Sequence, residues 1–441
     1  MKEDITTGRL AAGERLPPHR ALAFRLGISV HTVSKAYDEL RRQGLIDGHV
    51  GKGTYVLGSA LPSSQPFLME RDDLGMIELS ISRPLYATIH VEKMQAGLAG
   101  LSDSLHHSTY LACRPNVGLL PHREAGVSWL ARCGLETTAA SVIMTNGVSH
   151  GMATALASVV RPGETVVTEM VAHHLIISLS SYLGIRLQGL ALDHEGILPE
   201  AFEAACRQQK VKALFTVPTI ANPMVTIMSE ERRKQIVAIA RRHDVVIIED
   251  DAWGPLIENR PRPLSAMAPE RSIYLTSFTK CTLPGLRTGY LVAPENLIPT
   301  ITGRLIVFSW MATPLISELA SRWIADGTAD ELVAWQRREL GARHAIVTEA
   351  MGDLDWQGHP QSLHFWLRLP GDWDAGRLVE HAKALGVAVA PSQPFLAPNS
   401  SQIRGVRVAV GGARDPARFR QGLTILRDLL KRPPESLLQT L

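Results

Sequence analysis

Long apolar runs are missing from this chain. No stretch of eighteen consecutive apolar residues occurs in its 441, so no transmembrane helix is expected. The opening MKEDITTGRL carries no apolar segment either, which argues against a secretory signal there. Cysteine is scarce: Cys113, Cys133, Cys206 and Cys281 show no CxxC spacing and no metal-finger pattern, and a reduced, cytoplasmic protein is the plain expectation. His106, His107, His173 and His174 form adjacent pairs. Neighbours on a regular element point apart, and no cysteine or acid pattern accompanies them, so no metal site is expected. Net charge is small, +3, yet unevenly spread. Residues 1–60 hold nine Lys/Arg against six Asp/Glu, while the remainder balances, which permits a polyanion partner for the first segment.

What is present divides into three segments. Residues 1–57 carry short helical patterns and end in a Gly-rich hairpin pattern. Residues 58–76, GSALPSSQPFLMERDDLGM, are rich in Ser and Pro and read as a linker. From 77 to 441, apolar β-type runs (TVVTEM, ALFTVP, VVIIED, SIYLTS) alternate with helical stretches such as SEERRKQIVAIARRH. In that stretch Ser229 is a natural N-cap, two glutamates follow it, and Ile236, Ile239 and Ala240 share a face. The alternation predicts an α/β domain with a largely parallel sheet.

In the first segment, PPHRALAFRLGISVHTVSKAYDELRRQG reads as helix, turn, helix. The first helix ends at Leu26, Gly27 supplies the turn and Ser29 caps the second helix. Val33, Ala36, Tyr37 and Leu40 recur at helical spacing and predict one buried face. His31, Thr32, Ser34 and Lys35 are left outward, where they suit base edges and phosphates of a major groove. LIDGHVGKGTYV follows as a wing with Lys52 near its tip. An ordinary three-helix core with a charged outer face is the bland alternative. GHVGKGT grazes a phosphate-loop pattern but fails it, because Gly53 and not Ser or Thr follows Lys52. This segment resembles the winged helix-turn-helix of the GntR regulators, in which the arginine after Leu-Pro, here Arg20, contacts phosphate. Two departures stand out. Val30 stands where the family usually has an arginine, and only Met1–Thr7 precede the GRL run, too little for a stable first helix. The expectation is a start further upstream or a destabilised module.

Four motifs in the third segment make sense together. Lys280 lies in LTSFTKCTLPGLRTGY, between a strand and a Pro-Gly turn. A lysine that condenses with an aldehyde must reach its neutral form, through burial or a neighbouring cation; by itself Lys280 reads as a surface-loop lysine. VVIIEDDAWG puts acids at the end of a strand, where pyridoxal phosphate would need a carboxylate against its ring nitrogen. Asp250 is the choice, with Glu249 and Asp251 as solvated loop acids or helix caps. MTNGVSHGMATAL opens a helix at Gly147, Val148 and Ser149, whose N–H groups suit a phosphate. Asn222-Pro223 can offer a fixed amide to a ring oxygen, or simply start a turn.

Together these motifs resemble the fold-type I aminotransferases over about residues 77–430. The resemblance implies a PLP-dependent transferase fold, a large domain with a smaller C-terminal α+β subdomain. It also implies Ser277 and Arg287 on the cofactor phosphate, Asp250 on the pyridine nitrogen and Asn222 on the 3′-oxygen. Arg407, in IRGVRVAVGG, would grip a carboxylate through two parallel hydrogen bonds. Tyr110 would reach the phosphate from the partner subunit of a homodimer. Trp253 stands where the family has a tyrosine, and its indole N–H can donate; His173 stands where an aromatic ring stacks on the cofactor; NPMV replaces NPTG. A winged helix-turn-helix fused to such a domain is the architecture of the MocR, or GabR-like, subfamily of GntR regulators. The implied function is a DNA-binding, pyridoxal-phosphate-dependent transcription regulator that senses a small carboxylate-bearing amine through a Lys280 aldimine. An active aminotransferase with a vestigial DNA-binding module is the alternative, and a sensor of the vitamin itself a third.

Overall fold

The computed structural model describes residues 4, 9–10, 14–42, 45–49, 53–56, 75–371, 373–398, 400–401 and 403–431. The chain divides into two compact units, Met1–Met69 and Glu70–Leu441. Among the described residues no helix is long and apolar enough to cross a membrane.

In the first unit a helix spans His19–Leu26 and stops at Gly27, whose φ of 65° is the left-handed conformation that closes a helix. Ser29 Oγ then accepts the Thr32 N–H at 3.0 Å, and the second helix runs Val30–Arg42. A three-stranded sheet follows, in which Gly53–Val56 lies between Arg15–Leu16 and Ile46–His49. Nine buried residues, Leu16 and Tyr37 among them, form its core. Tyr37 also donates its hydroxyl to the Pro17 carbonyl at 2.8 Å. Val33, Tyr37 and Leu40 are buried as the periodicity predicts. Ala36 is instead exposed: it sits at the edge of the stripe, and its single methyl does not reach the core. Lys52, the predicted wing contact, lies outside the described residues, as do Met1–Thr7 apart from Asp4 and all but the end of the predicted linker.

The second unit is built on a seven-stranded sheet. Its order is Val142–Thr145, Gly289–Val292, Ser272–Ser277, Val246–Asp251, Val211–Thr216, Thr165–Glu169, Arg186–Leu190. Only Gly289–Val292 runs antiparallel to its neighbours. The central strands are buried almost throughout, which is why they read as unbroken apolar runs. Between strands lie helices such as Glu230–Arg242, with Ser229 accepting the Arg232 N–H, Glu230 and Glu231 in its first turn and Arg241 and Arg242 in its last. A smaller sheet runs Trp356–Gln357, His364–Arg368, Gly405–Ala409, Val387–Pro391, Ile77–Leu79. This α+β subdomain is therefore not purely C-terminal. The strand Ile77–Leu79 comes from the head of the unit and pairs in parallel with Val387–Pro391.

Candidate cofactor site and nucleic-acid interface

The acids of VVIIEDD all lie within the strand Val246–Asp251, and all are buried. Glu249 accepts the Leu264 and Ser265 N–H groups at 3.1 and 2.7 Å and faces Arg233 at 3.7 Å. Asp251 pairs with Arg260 at 2.6 Å and takes the Tyr274 hydroxyl. Neither is a solvated loop acid; Glu249 does close a helix N-terminus. Asp250 accepts the Ala252 N–H at 3.0 Å. Burial, then the Asp251 charge, push its carboxyl up to about 7.

Lys280 follows the adjacent strand Ser272–Ser277 and donates from Nζ to the Ser82 carbonyl at 2.6 Å. Burial, with Arg407 and Arg287 adding like charge, brings its amine down to about 8. Arg287 has a φ of 47°. Its guanidinium lies against Gly147, where a Cβ would come within 2.8 Å of Nη2. Gly147, at φ 79°, precedes the helix Val148–Val159 and gives it no side-chain cap. A cation and the uncapped N–H groups of a helix start thus share one spot, an arrangement suited to an anion. Ser277 is buried at the strand end and pairs in register with Gly289. Val148 is half-buried and Ser149 exposed.

Arg407, 2% exposed, donates from Nη1 to Asn222 Oδ1 at 3.0 Å and from Nη2 to the Ser80 carbonyl at 2.6 Å. Its guanidinium sits 4.9 Å from the Phe395 ring centroid, and burial lowers it to about 10. Its Nε has no partner among the described residues. His173 stands at the N-cap position of the helix His174–Tyr182 and gives it no side-chain cap. Burial, His174, Lys280 and Arg407 hold it neutral, far below the ordinary imidazole range, and its Nδ1 is unpartnered among the described residues.

Trp253 differs from expectation. Its indole N–H donates to the Ile220 carbonyl at 2.8 Å, so that donor is already used inside the protein. The carbonyl is presented by a turn in which Ile220 has a φ of 54°. Tyr110 is 59% exposed. The adjacent histidines do not point apart: the His106–His107 and His173–His174 ring centroids lie 4.2 and 4.5 Å apart. His106 and His173 are N-cap residues with extended or near-extended backbone, which turns each ring toward its neighbour. Among the described residues no group of three His, Cys, Asp or Glu could hold a metal ion.

Several residues at this site left no trace in the sequence reading. The Ser80 and Ser82 carbonyls act through backbone, which no motif encodes. His364 brings Nδ1 to 3.4 Å from Ser82 Oγ and its ring centroid to 5.7 Å from that of Trp253. Glu169, buried beside Asp250, accepts the Val217 N–H at 3.1 Å and the hydroxyls of Thr168 and Thr216. The cluster fits pyridoxal phosphate. It has an anion cradle at Gly147 and Arg287, a buried carboxyl for a ring nitrogen, and a lysine whose amine is readily neutral for an aldehyde.

In the first unit Arg20, His31, Thr32 and Lys35 are all exposed. The Thr32 hydroxyl is shared with Ser29 Oγ at 2.8 Å.

Comparison with known proteins matches residues 1–56 to the bacterial regulatory proteins of the gntR family and residues 75–416 to aminotransferase class I and II. The HTH-type transcriptional regulator YdeF of Bacillus subtilis is 29% identical over 430 residues, covering 98% of this chain and 92% of that one. The regulator TauR of Rhodobacter capsulatus is 24% identical over 466 residues, covering 96% and 93%. Among solved structures, the kynurenine aminotransferase of Pyrococcus horikoshii superposes with a TM-score of 0.75 at 22% identity, covering 84% of this chain and 96% of that one, a likeness of fold. The chain belongs to the aminotransferase class I and II family, and with the gntR module ahead of that domain it is a transcriptional regulator of the MocR architecture.

Proposed function

We propose that this cytoplasmic regulator holds pyridoxal phosphate at Lys280 and changes its hold on operator DNA when a carboxylate-bearing amine enters the same site. In this reading residues 1–57 bind DNA, 58–76 link, and 77–441 sense. The observation that carries it is the place of Lys280: a half-buried side chain at the strand end whose amine donates to the Ser82 carbonyl and is lowered to about 8 by desolvation and by the charges of Arg407 and Arg287.

When bound, the cofactor supplies an aldehyde for amines and an electron-withdrawing ring. The chain's own residues do the rest. Arg287, Ser277 and the Gly147–Ser149 helix start hold the phosphate. Asp250 keeps a proton near neutrality in the free site, and a protonated ring nitrogen opposite would favour its carboxylate form. With Asn222 Oδ1 accepting from Arg407, the amide Nδ2 is turned free to donate to a ring oxygen. His173, kept neutral, offers a flat face for the ring. Arg407 hydrogen-bonds to the Asn222 amide oxygen and the Ser80 carbonyl, with Glu78 acting on it through space, and a ligand carboxylate would add a charged acceptor to its guanidinium. Lys280 would leave the Ser82 carbonyl to hold the cofactor, and an amine that displaced it would free the Lys280 amine to return there; that exchange would be the event the regulator reads. Tyr110, exposed and without a role inside one chain, is assigned to a homodimer, where it reaches the other subunit's phosphate.

Absorbance and DNA binding test this on one preparation. Adding pyridoxal phosphate should produce a visible band that Lys280→Ala abolishes. Duplex from the promoter beside its own gene should be footprinted, with an affinity that changes when the right amine is added. An unchanged spectrum in Lys280→Ala refutes the cofactor assignment. Rapid amino-group turnover with no footprint favours the enzyme reading instead.

A further inference from the structure

The helix Val30–Arg42 buries Val33, Tyr37 and Leu40 along one stripe. At 100° per residue, Val30, His31, Ser34, Lys35 and Asp38 fall on a single arc beside and behind that stripe. Val30, His31, Lys35 and Asp38 are exposed and Ser34 half-buried. Asp38 is engaged with Arg41 at 3.2 Å, and the neighbouring Thr32 hydroxyl is taken by Ser29. That leaves a hydroxyl, an imidazole, an ammonium and one apolar group. The apolar group is Val30, 46% exposed in the first turn. It is β-branched, a mediocre helix former, and half its surface packs on nothing described. Helix-turn-helix proteins bring the first turn of this helix against base edges. Valine has no hydrogen bond to offer there. The one apolar feature the major groove presents is the 5-methyl group of thymine.

We propose that Val30 reads a thymine methyl in the operator. The inference rests on the DNA-binding reading above and adds a base preference to it. His31 and Lys35, on the same arc, supply hydrogen bonds and charge to neighbouring positions.

The test uses the full chain loaded with pyridoxal phosphate. Duplexes are selected from a random pool, and binding to the selected sequence is measured by fluorescence anisotropy. Thymines are then replaced one at a time by deoxyuridine, which removes only the methyl. One position should lose about fourfold in affinity, the factor expected for one buried methyl-sized group. Val30→Ala should lose a similar factor on the thymine duplex and be indifferent to deoxyuridine at that position alone, so the two losses do not add. Indifference of the wild type to every replacement overturns the proposal. So does a Val30→Ala chain that keeps the same deoxyuridine sensitivity, or one that merely melts at lower temperature. Failure to retain any duplex defeats the DNA-binding reading, and this proposal with it; the other outcomes defeat the proposal alone.

Discussion

The two units treat charge in opposite ways. The winged helix keeps its ionised groups at the surface over a small apolar core. The aminotransferase-type unit buries Glu169, Arg233, Glu249, Asp250, Asp251 and Arg407. The contrast follows from what each must recognise. DNA offers a regular array of identical charges, so exposed cations suffice and affinity depends on salt. In the proposed function a small amine must be told from many others, and desolvated charges discriminate because each unpaired one is costly. In that reading the second unit gives up stability in its interior for selectivity, and the first does not.

That contrast can be broken by mutation. The largest effect belongs to Lys280→Ala, which should abolish the cofactor band while leaving the salt dependence of DNA binding as it was; absorbance and anisotropy read the two separately. Next is Arg233→Ala. Arg233 is fully buried, donates to the Met228 and Pro218 carbonyls and faces Glu249. Its loss should cost the second unit about 3–5 kcal/mol, the usual penalty for stranding a buried charge, without moving the melting of the first. Denaturant unfolding followed by two probes checks this; a loss under about 1 kcal/mol would mean that the two N–H bonds to Glu249 suffice.

Titration sharpens the same point. Lys280 is lowered to about 8, so its neutral fraction grows as pH rises through that value, and capture of pyridoxal phosphate should quicken with it in stopped-flow absorbance. Asp250 moves the other way. Raised from 3.8 to about 7, it keeps in the folded cofactor-free chain a proton that the unfolded chain has already released. Its contribution to stability is thus present at low pH and lost as pH climbs through that window, and Asp250→Asn should flatten the slope. The smallest effect is on the first unit. Ser29→Ala removes the cap over Thr32 and should cost about 1 kcal/mol, seen as weaker DNA binding with an unchanged cofactor spectrum.

Much of this was legible before any coordinates. Parallel strands buried on both faces leave unbroken apolar runs, so VVIIED and SIYLTS declared themselves. Gly27 and Ser29 marked the turn because a left-handed residue and an N-cap have few substitutes. Asp250 could be nominated because an acid ending an apolar strand is unusual, whereas Lys280, Arg287 and Arg407 gained their roles from the motifs shared with the aminotransferases. Their partners were hidden for the opposite reason. Ser80 and Ser82 contribute carbonyls, which every residue has. The bond from Trp253 to Ile220 depends on a left-handed backbone at a β-branched residue, which composition disfavours and so does not predict. The rings of His106 and His107 came together because the pair straddles a helix start, where the regular geometry assumed for neighbours does not hold.

The strand Ile77–Leu79 carries a consequence for how the molecule is made. Its partner, Val387–Pro391, leaves the ribosome long after it, and the two residues whose carbonyls hold Arg407 and Lys280, Ser80 and Ser82, follow directly behind Ile77–Leu79. Domains fold as units, the N-terminal one first during synthesis. The DNA-binding module can therefore be finished while Ser80 and Ser82 still wait for the strand that fixes their neighbours in place. A newborn chain would present its DNA-binding module before the backbone that receives the Lys280 amine had been set in its sheet.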